Sequence, residues 1–187
     1  MPGFDADQLG SYDDVMSALG SLYTDDHGFR TLVFDTLDRF EPMVWRKACE
    51  TNNWPSIESP GYGKGYVEAD RFWRDLIDGF NALRRDRGMS IVLIAHSDIG
   101  RFDDPQSASY SRFDIRLHKR ALALIQDEVD AVLFKERLHG DELRLDRVAQ
   151  DRRLLGDGRI KARLGQEAAF AELFSAGQGV VGLVHRR

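Results

Sequence analysis

Residues 30 to 35, Arg30-Thr31-Leu32-Val33-Phe34-Asp35, are a short apolar, partly β-branched run that ends in an acid. A run without polar alternation is what a strand buried on both faces of a parallel sheet requires. A second such run, Ser90 to Ala95 (SIVLIA), exits into His96-Ser97, and a third spans Val129 to Phe134. Between the first two lie two stretches of helical periodicity. Leu37 to about Glu50 has the Phe40, Val44, Lys47 spacing. Tyr66 to Arg87 repeats Phe72, Leu76, Phe80 and Leu83 at intervals of three and four, and Gly88 ends it. Strand, helix, strand, helix, strand predicts an α/β fold with a mainly parallel sheet and helices on its faces. Ligands of such sheets bind at the carboxyl ends of strands, which here are Asp35 and Thr36 after the first and His96 and Ser97 after the second.

Working outward, Ser11 to Thr24 reads as an amphipathic helix with Ser11 or Asp13 as its cap and Val15, Leu19 and Leu22 on one face. The segment Asp98 to Arg112 is polar and long for a connection, which predicts a functional loop. His118 to Gln126 is expected to be helical, and residues 135 to 149 alternate around His139-Gly140-Asp141 like a hairpin. From Leu154 onward glycine is dense, with a short helix expected at Glu167 to Phe174 and a strand at Val180 to His185.

The composition, 187 residues with 42% hydrophobic and 30% charged, suits one domain with a sizeable core and argues against disorder. No apolar run approaches the ~18 residues of a membrane span, and MPGFDADQLG has neither the basic nor the apolar region of a signal peptide. The expectation is a soluble, cytoplasmic protein with no membrane partner. A single Cys49 excludes an internal disulfide, and no Cys/His cluster has zinc spacing. The net charge of -5 divides unevenly: residues 1 to 100 hold 10 Lys+Arg against 17 Asp+Glu, and residues 101 to 187 hold 16 against 14. A polyanion would therefore sit more easily on the second half.

Leu32 to Asp35 fits the Walker B pattern of P-loop NTPases, in which a strand-terminal carboxylate holds magnesium because a hard cation bridging phosphates prefers carboxylate oxygen. The bland alternative is an aspartate that caps the next helix. In RecA-type ATPases a second strand ends in a residue that senses the terminal phosphate, a role His96 or Ser97 could fill; a histidine satisfied by nearby backbone is the alternative. An unrelated hydrolase using Asp35 and His96 lacks the G-x-S-x-G elbow that would supply a nucleophile. Trp45 and Trp73 read as packing residues, while Trp54, and Tyr110 and Phe113 among Arg101, Arg112 and Arg116, could stack on single-stranded bases.

The blocks RTLVFDTLDRFEP, GYGKGYVEADRFWRDLIDGFNALR, MSIVLIAHSDIGRFDDP and SRFDIRLHKRALALIQDEVDAVLF, in that order, resemble the phage and prophage ATP-binding proteins with a RecA-like core. That family is linked to phage DNA recombination and single-strand annealing, and the resemblance covers about residues 10 to 137. It implies a RecA-like three-layer α/β/α fold, ATP and Mg2+ as cofactors, Asp35 as the Walker B acid and metal ligand, and His96 at the sensor position. Thr36 and Ser97 would complete the nucleotide contacts. Residues 98 to 112 would be the DNA-facing loop, with Arg101, Arg112, Lys119 and Arg120 as phosphate contacts to single-stranded DNA, in a homo-oligomer.

The family's opening strand and G-x-x-x-x-G-K-[ST] loop have no counterpart here; in GYGKG, Lys64 is followed by Gly65 and no strand precedes it. The expectation is a core that starts after the P-loop strand, residues 1 to 150, followed by a divergent tail, residues 151 to 187. The strand Ser90 to Ala95 would then either leave backbone groups unpaired or pair with Val129 to Phe134. Nucleotide binding would be weak and ATPase activity weak or absent. The competing reading is a non-enzymatic remnant or regulatory domain that oligomerises or binds single-stranded DNA.

Overall fold

The computed structural model describes residues 9–102, 110–137, 143–148 and 180–185. The first strand, β1 (Thr31–Asp35), lies parallel to β2 (Ser90–Phe102), with Leu32 opposite Ile91 and Asp35 opposite Ile94. Between them the chain makes α2 (Leu37–Asn52) and α3 (Lys64–Arg87), and α1 (Tyr12–Thr24) precedes β1. After β2 come β3 (Tyr110–Ile115), α4 (Lys119–Glu128), β4 (Ala131–Arg137), β5 (Leu143–Val148) and β6 (Val180–His185).

Each helix starts and stops where its local chemistry dictates. Ser11 caps α1 in a reciprocal pair: its hydroxyl accepts from the Asp14 N–H at 3.2 Å, and its own N–H donates to the Asp14 carboxylate at 3.0 Å. α2 ends at Asn53 in a left-handed conformation, and α3 ends at Gly88, also left-handed, where Arg84, Arg85 and Arg87 complement the negative end of the helix. Gly65, buried at the start of α3, is where the preceding loop returns: a Cβ there would lie 1.9 Å from the Ile57 carbonyl oxygen.

Strand alternation sorts the core. Ile91, Leu93 and Ala95, with Leu32 and Phe34, join one cluster with the apolar faces of all four helices, including Leu19, Leu37, Val44, Trp73, Leu76, Leu83 and Ile125. Val92 and Ile94, with Val33, form a separate small cluster on the opposite face of the sheet. Among the described residues the four helices therefore form one layer on one face. α3 is its centre, packing against α1, α2 and α4.

The sheet has the order β1-β2-β6-β4-β5, with β3 paired to the far part of β2. β6 lies antiparallel to both β2 and β4, so β1, β2 and β4 share one direction, while β3, β5 and β6 run against them and β1–β2 is the one parallel pair among the described residues. This corrects the expectation for β2. Its backbone is neither left open nor paired with β4, because β6 is inserted between them, with Ile91 opposite His185 and His96 opposite Val180. A strand placed at the very end of the chain satisfies those groups by long-range pairing that no local pattern announces.

A second correction concerns residues 98 to 112. β2 continues six residues past His96 to Phe102, and Tyr110 to Ile115 returns as β3, in register from Ser97 opposite Ile115 to Phe102 opposite Tyr110. Polar composition masked this strand pair, since a hairpin arm can be polar when its backbone carries the pairing. The expected hairpin between β4 and β5 is present, with Arg137 opposite Leu143. The helix expected at Glu167 to Phe174 lies outside the described residues.

Candidate functional site

Because β1 and β2 are adjacent and parallel, the residues that follow them emerge side by side. Asp35 is exposed at the end of β1 and makes no hydrogen bond or ion pair among the described residues. Thr36 follows as the N-cap residue of α2; its hydroxyl makes no capping bond, and the residue is 8% exposed, with the hydroxyl facing the Asp38 carboxylate. Neither side chain makes a capping hydrogen bond to α2 among the described residues.

Asp38, in the first turn of α2, is the side chain that ties the two strand ends together. Its Oδ1 accepts the His96 backbone N–H at 3.1 Å, and the His96 Nδ1 lies 3.1 Å from Oδ1 and 3.0 Å from Oδ2. Burial pushes the Asp38 carboxyl up, but the His96 N–H, the ring hydrogen bond and the imidazole charge outweigh it and hold the carboxyl below its ordinary range. The Asp38 side chain is 11% exposed and that of His96 41%, so the pair is anchored on the carboxylate and open on the ring. Ser97 follows on β2, its backbone in register with Ile115.

The donors at this corner are a free carboxylate, a hydroxyl and a half-open imidazole. That set suits magnesium, which keeps most of its waters and takes one or two protein oxygens together with phosphate. It would not hold a bare ion: among the described residues no group of three or more His, Cys, Asp or Glu could do so. A phosphate cradle of backbone N–H groups is a different matter. Gly61, Tyr62 and Gly63 all have positive φ and lead into α3, but they follow a turn after α2 and no strand. The described residues therefore fit the cation side of a magnesium-nucleotide and not its phosphate cradle.

Two of the basic residues lie along the β2–β3 pair, beyond this corner. Arg101 sits five residues beyond His96 on β2, about 17 Å along the strand, opposite Ser111, and Arg112 on β3 is opposite Gly100. Lys119 is exposed at the start of α4. Arg120 has a partner within the fold: its guanidinium grips Asp70, Nε to both oxygens at 3.2 Å and Nη2 to Oδ2 at 2.5 Å.

Sequence reading missed three carboxylates. Asp38 is one; the others are Glu41 and Asp70, buried at 7% and 5% exposure. Glu41 accepts the backbone N–H of His118 at 2.9 Å, and Asp70 takes Arg120, so acids from α2 and α3 fasten the start of α4. The His118 ring stacks on Tyr66, with centroids 4.0 Å apart. The available signal was the spacing Asp38, Glu41: acids three apart in the first turns of a helix share one side of it. Trp73 is fully buried and packs edge-on to Phe40, as its helical position implied.

An α/β sheet with an acid and polar residues at adjacent parallel strand ends is the arrangement of a nucleotide-binding domain. The family model described as AAA domain matches residues 2–155, and the chain belongs to that family of P-loop ATPases, whose members generally use ATP and Mg2+. No curated protein and no solved structure matches the chain. No helix among the described residues is long and apolar enough to cross a membrane.

Proposed function

We propose that this AAA-family domain has a RecA-like core of the phage recombination and single-strand annealing type, with Asp35 as the magnesium-holding acid and His96 as the residue facing the terminal phosphate. The observation that carries this reading is the parallel pairing of β1 with β2, which sets Asp35 and Thr36 beside a His96 held by Asp38. Thr36 and Ser97 are the accompanying nucleotide contacts. Magnesium would supply charge neutralisation between phosphate oxygens, and Asp35 would hold it in part through water. Arg101, Arg112 and Lys119 are proposed phosphate contacts for single-stranded DNA; Arg120 joins them only with the part of its guanidinium that Asp70 leaves free. Residues 1 to 150 would form the ATPase-type core and residues 151 to 187 an appended segment that lends β6 to the sheet, in a cytoplasmic homo-oligomer.

No G-x-x-x-x-G-K-[ST] occurs in the 187 residues. Most phosphate contacts in this class come from that loop's amides and lysine, so the chain should bind magnesium-nucleotide weakly and turn it over at background. The test is binding of a fluorescent ATP analogue with and without Mg2+, together with phosphate release. Weak, magnesium-dependent binding that falls at least about tenfold in Asp35→Ala, the loss of one strong charge contact, is the expected result. Robust turnover lost in Asp35→Ala would overturn the weak-nucleotide reading, and binding indifferent to Asp35→Ala would overturn the assignment of Asp35.

The β2–β3 hairpin, which carries Arg101 and Arg112 beyond the strand-end corner, favours a second reading: a non-enzymatic domain that binds single-stranded DNA and oligomerises. Strand binding without any nucleotide effect distinguishes it.

A further inference from the structure

We propose that Asp38 is a positioning residue for His96, committing Nδ1–H to its carboxylate and so aiming Nε2, a donor when the ring is charged, at a phosphate oxyanion. The inference rests on the sensor reading of His96 for its ligand, but its structural half stands on the contacts alone.

An isolated neutral imidazole carries its proton on either nitrogen, and the partner of one nitrogen decides what the other can do. Here the partner is a carboxylate that can only accept, 3.0 Å and 3.1 Å from Nδ1. Nδ1 must therefore carry hydrogen. Nε2 has no hydrogen bond among the described residues, and the His96 side chain is 41% exposed. When the ring is charged, Nε2 is a donor aimed away from Asp38; when it is neutral, Nε2 is a lone pair.

The same carboxylate also accepts the His96 N–H at 3.1 Å. β1 stops pairing with β2 at Asp35 opposite Ile94, so Asp38 takes over a backbone donor just where the neighbouring strand has turned into a helix. One side chain thus fixes both the backbone and the ring of His96. Its own place in the first turn of α2, three residues after Asp35, sets it between the end of β1 and His96 on β2. An alanine at 38 would free both; an asparagine would offer the ring an amide N–H as well as an oxygen, so hydrogen would no longer be forced onto Nδ1.

Long-range 1H–15N spectra of the imidazoles, recorded at alkaline pH where a free imidazole is neutral, test this, with His96→Gln identifying the signal among the five histidines. The expected result is the Nδ1–H tautomer in the wild type, with the Nε2–H form gaining ground in Asp38→Ala and in Asp38→Asn, whose amide N–H can donate to Nδ1. A wild-type His96 in the Nε2–H form would overturn the proposal, as would a tautomer unchanged in Asp38→Ala. The second arm adds magnesium with a non-hydrolysable ATP analogue at mildly acidic pH, where a free imidazole is charged and Nε2 carries hydrogen. A shift of the Nε2 resonance in the wild type that is lost in Asp38→Ala supports both the positioning and the phosphate contact. Nδ1–H in the wild type with an Nε2 resonance that ignores the nucleotide upholds Asp38 as the orienting residue and overturns the sensor reading of His96.

Discussion

At the scale of single residues, α2 carries two acids a turn apart that are displaced in opposite directions. Asp38 is held below the ordinary range by His96, whereas burial pushes Glu41 up, against the opposing pull of the His118 N–H. The consequences for stability have opposite signs. A carboxyl lowered on folding contributes stability that is present above its unfolded pKa and lost as the pH falls through the folded one. For Glu41 the folded form binds its proton more tightly than the unfolded chain does. Its contribution is complete below the ordinary glutamate value of 4.5 and is lost as the pH rises through the folded value. Glu41→Gln keeps an oxygen for the His118 N–H and removes the charge. Its urea midpoint, compared with the wild type, should therefore gain ground progressively as the pH rises from about 4.5, the region where free glutamate ionises. A difference that is flat between mild acid and neutrality would show that Glu41 is ionised with no burial penalty.

At the scale of elements, what the sequence revealed was what neighbouring residues decide. β1, α2 and α3 were legible because an apolar run, a 3.6-residue repeat and Gly88 each act locally, and α1 was legible through Ser11 and its apolar face. The full length of β2 was hidden because Asp98 to Phe102 is held by cross-strand pairing with β3 and not by an apolar pattern. Asp38 was hidden for a related reason: its partner is 58 residues away, so its role depends on β1 and β2 becoming neighbours. The strand β6 was legible as a strand but not as the third member of the sheet order. Its six residues satisfy both β2 and β4, so removing residues 180 to 187 should leave two open strand edges in the middle of the sheet. The expected outcome is a melting temperature lower by at least about 4 °C, roughly 1 kcal/mol or more for a chain of this size, with increased light scattering. An unchanged melting curve would mean that β6 is not part of the cooperative core.

At the scale of the whole molecule, the net charge of -5 conceals a division: residues 1 to 100 supply the acids of the strand-end corner, and the later residues supply the hairpin and Lys119. If the later half meets single-stranded DNA, affinity should fall with salt, with a logarithmic slope of about -0.7 for each phosphate neutralised. Arg112→Ala or Lys119→Ala should each flatten that slope by about 0.7, as read from oligonucleotide titrations across a salt series. No binding at low salt, or a slope that neither change alters, would remove these residues from the interface. The position of β6 has a further consequence, in time. Every other described strand has been made by Val148, yet the first residue of β6 is Val180, so 32 positions must be added before the centre of the sheet can close. At about 5–20 residues per second, synthesis leaves roughly two to six seconds in which α1 to α4 can assemble on β1 and β2 while β4 and β5 wait for the strand that joins them to the rest.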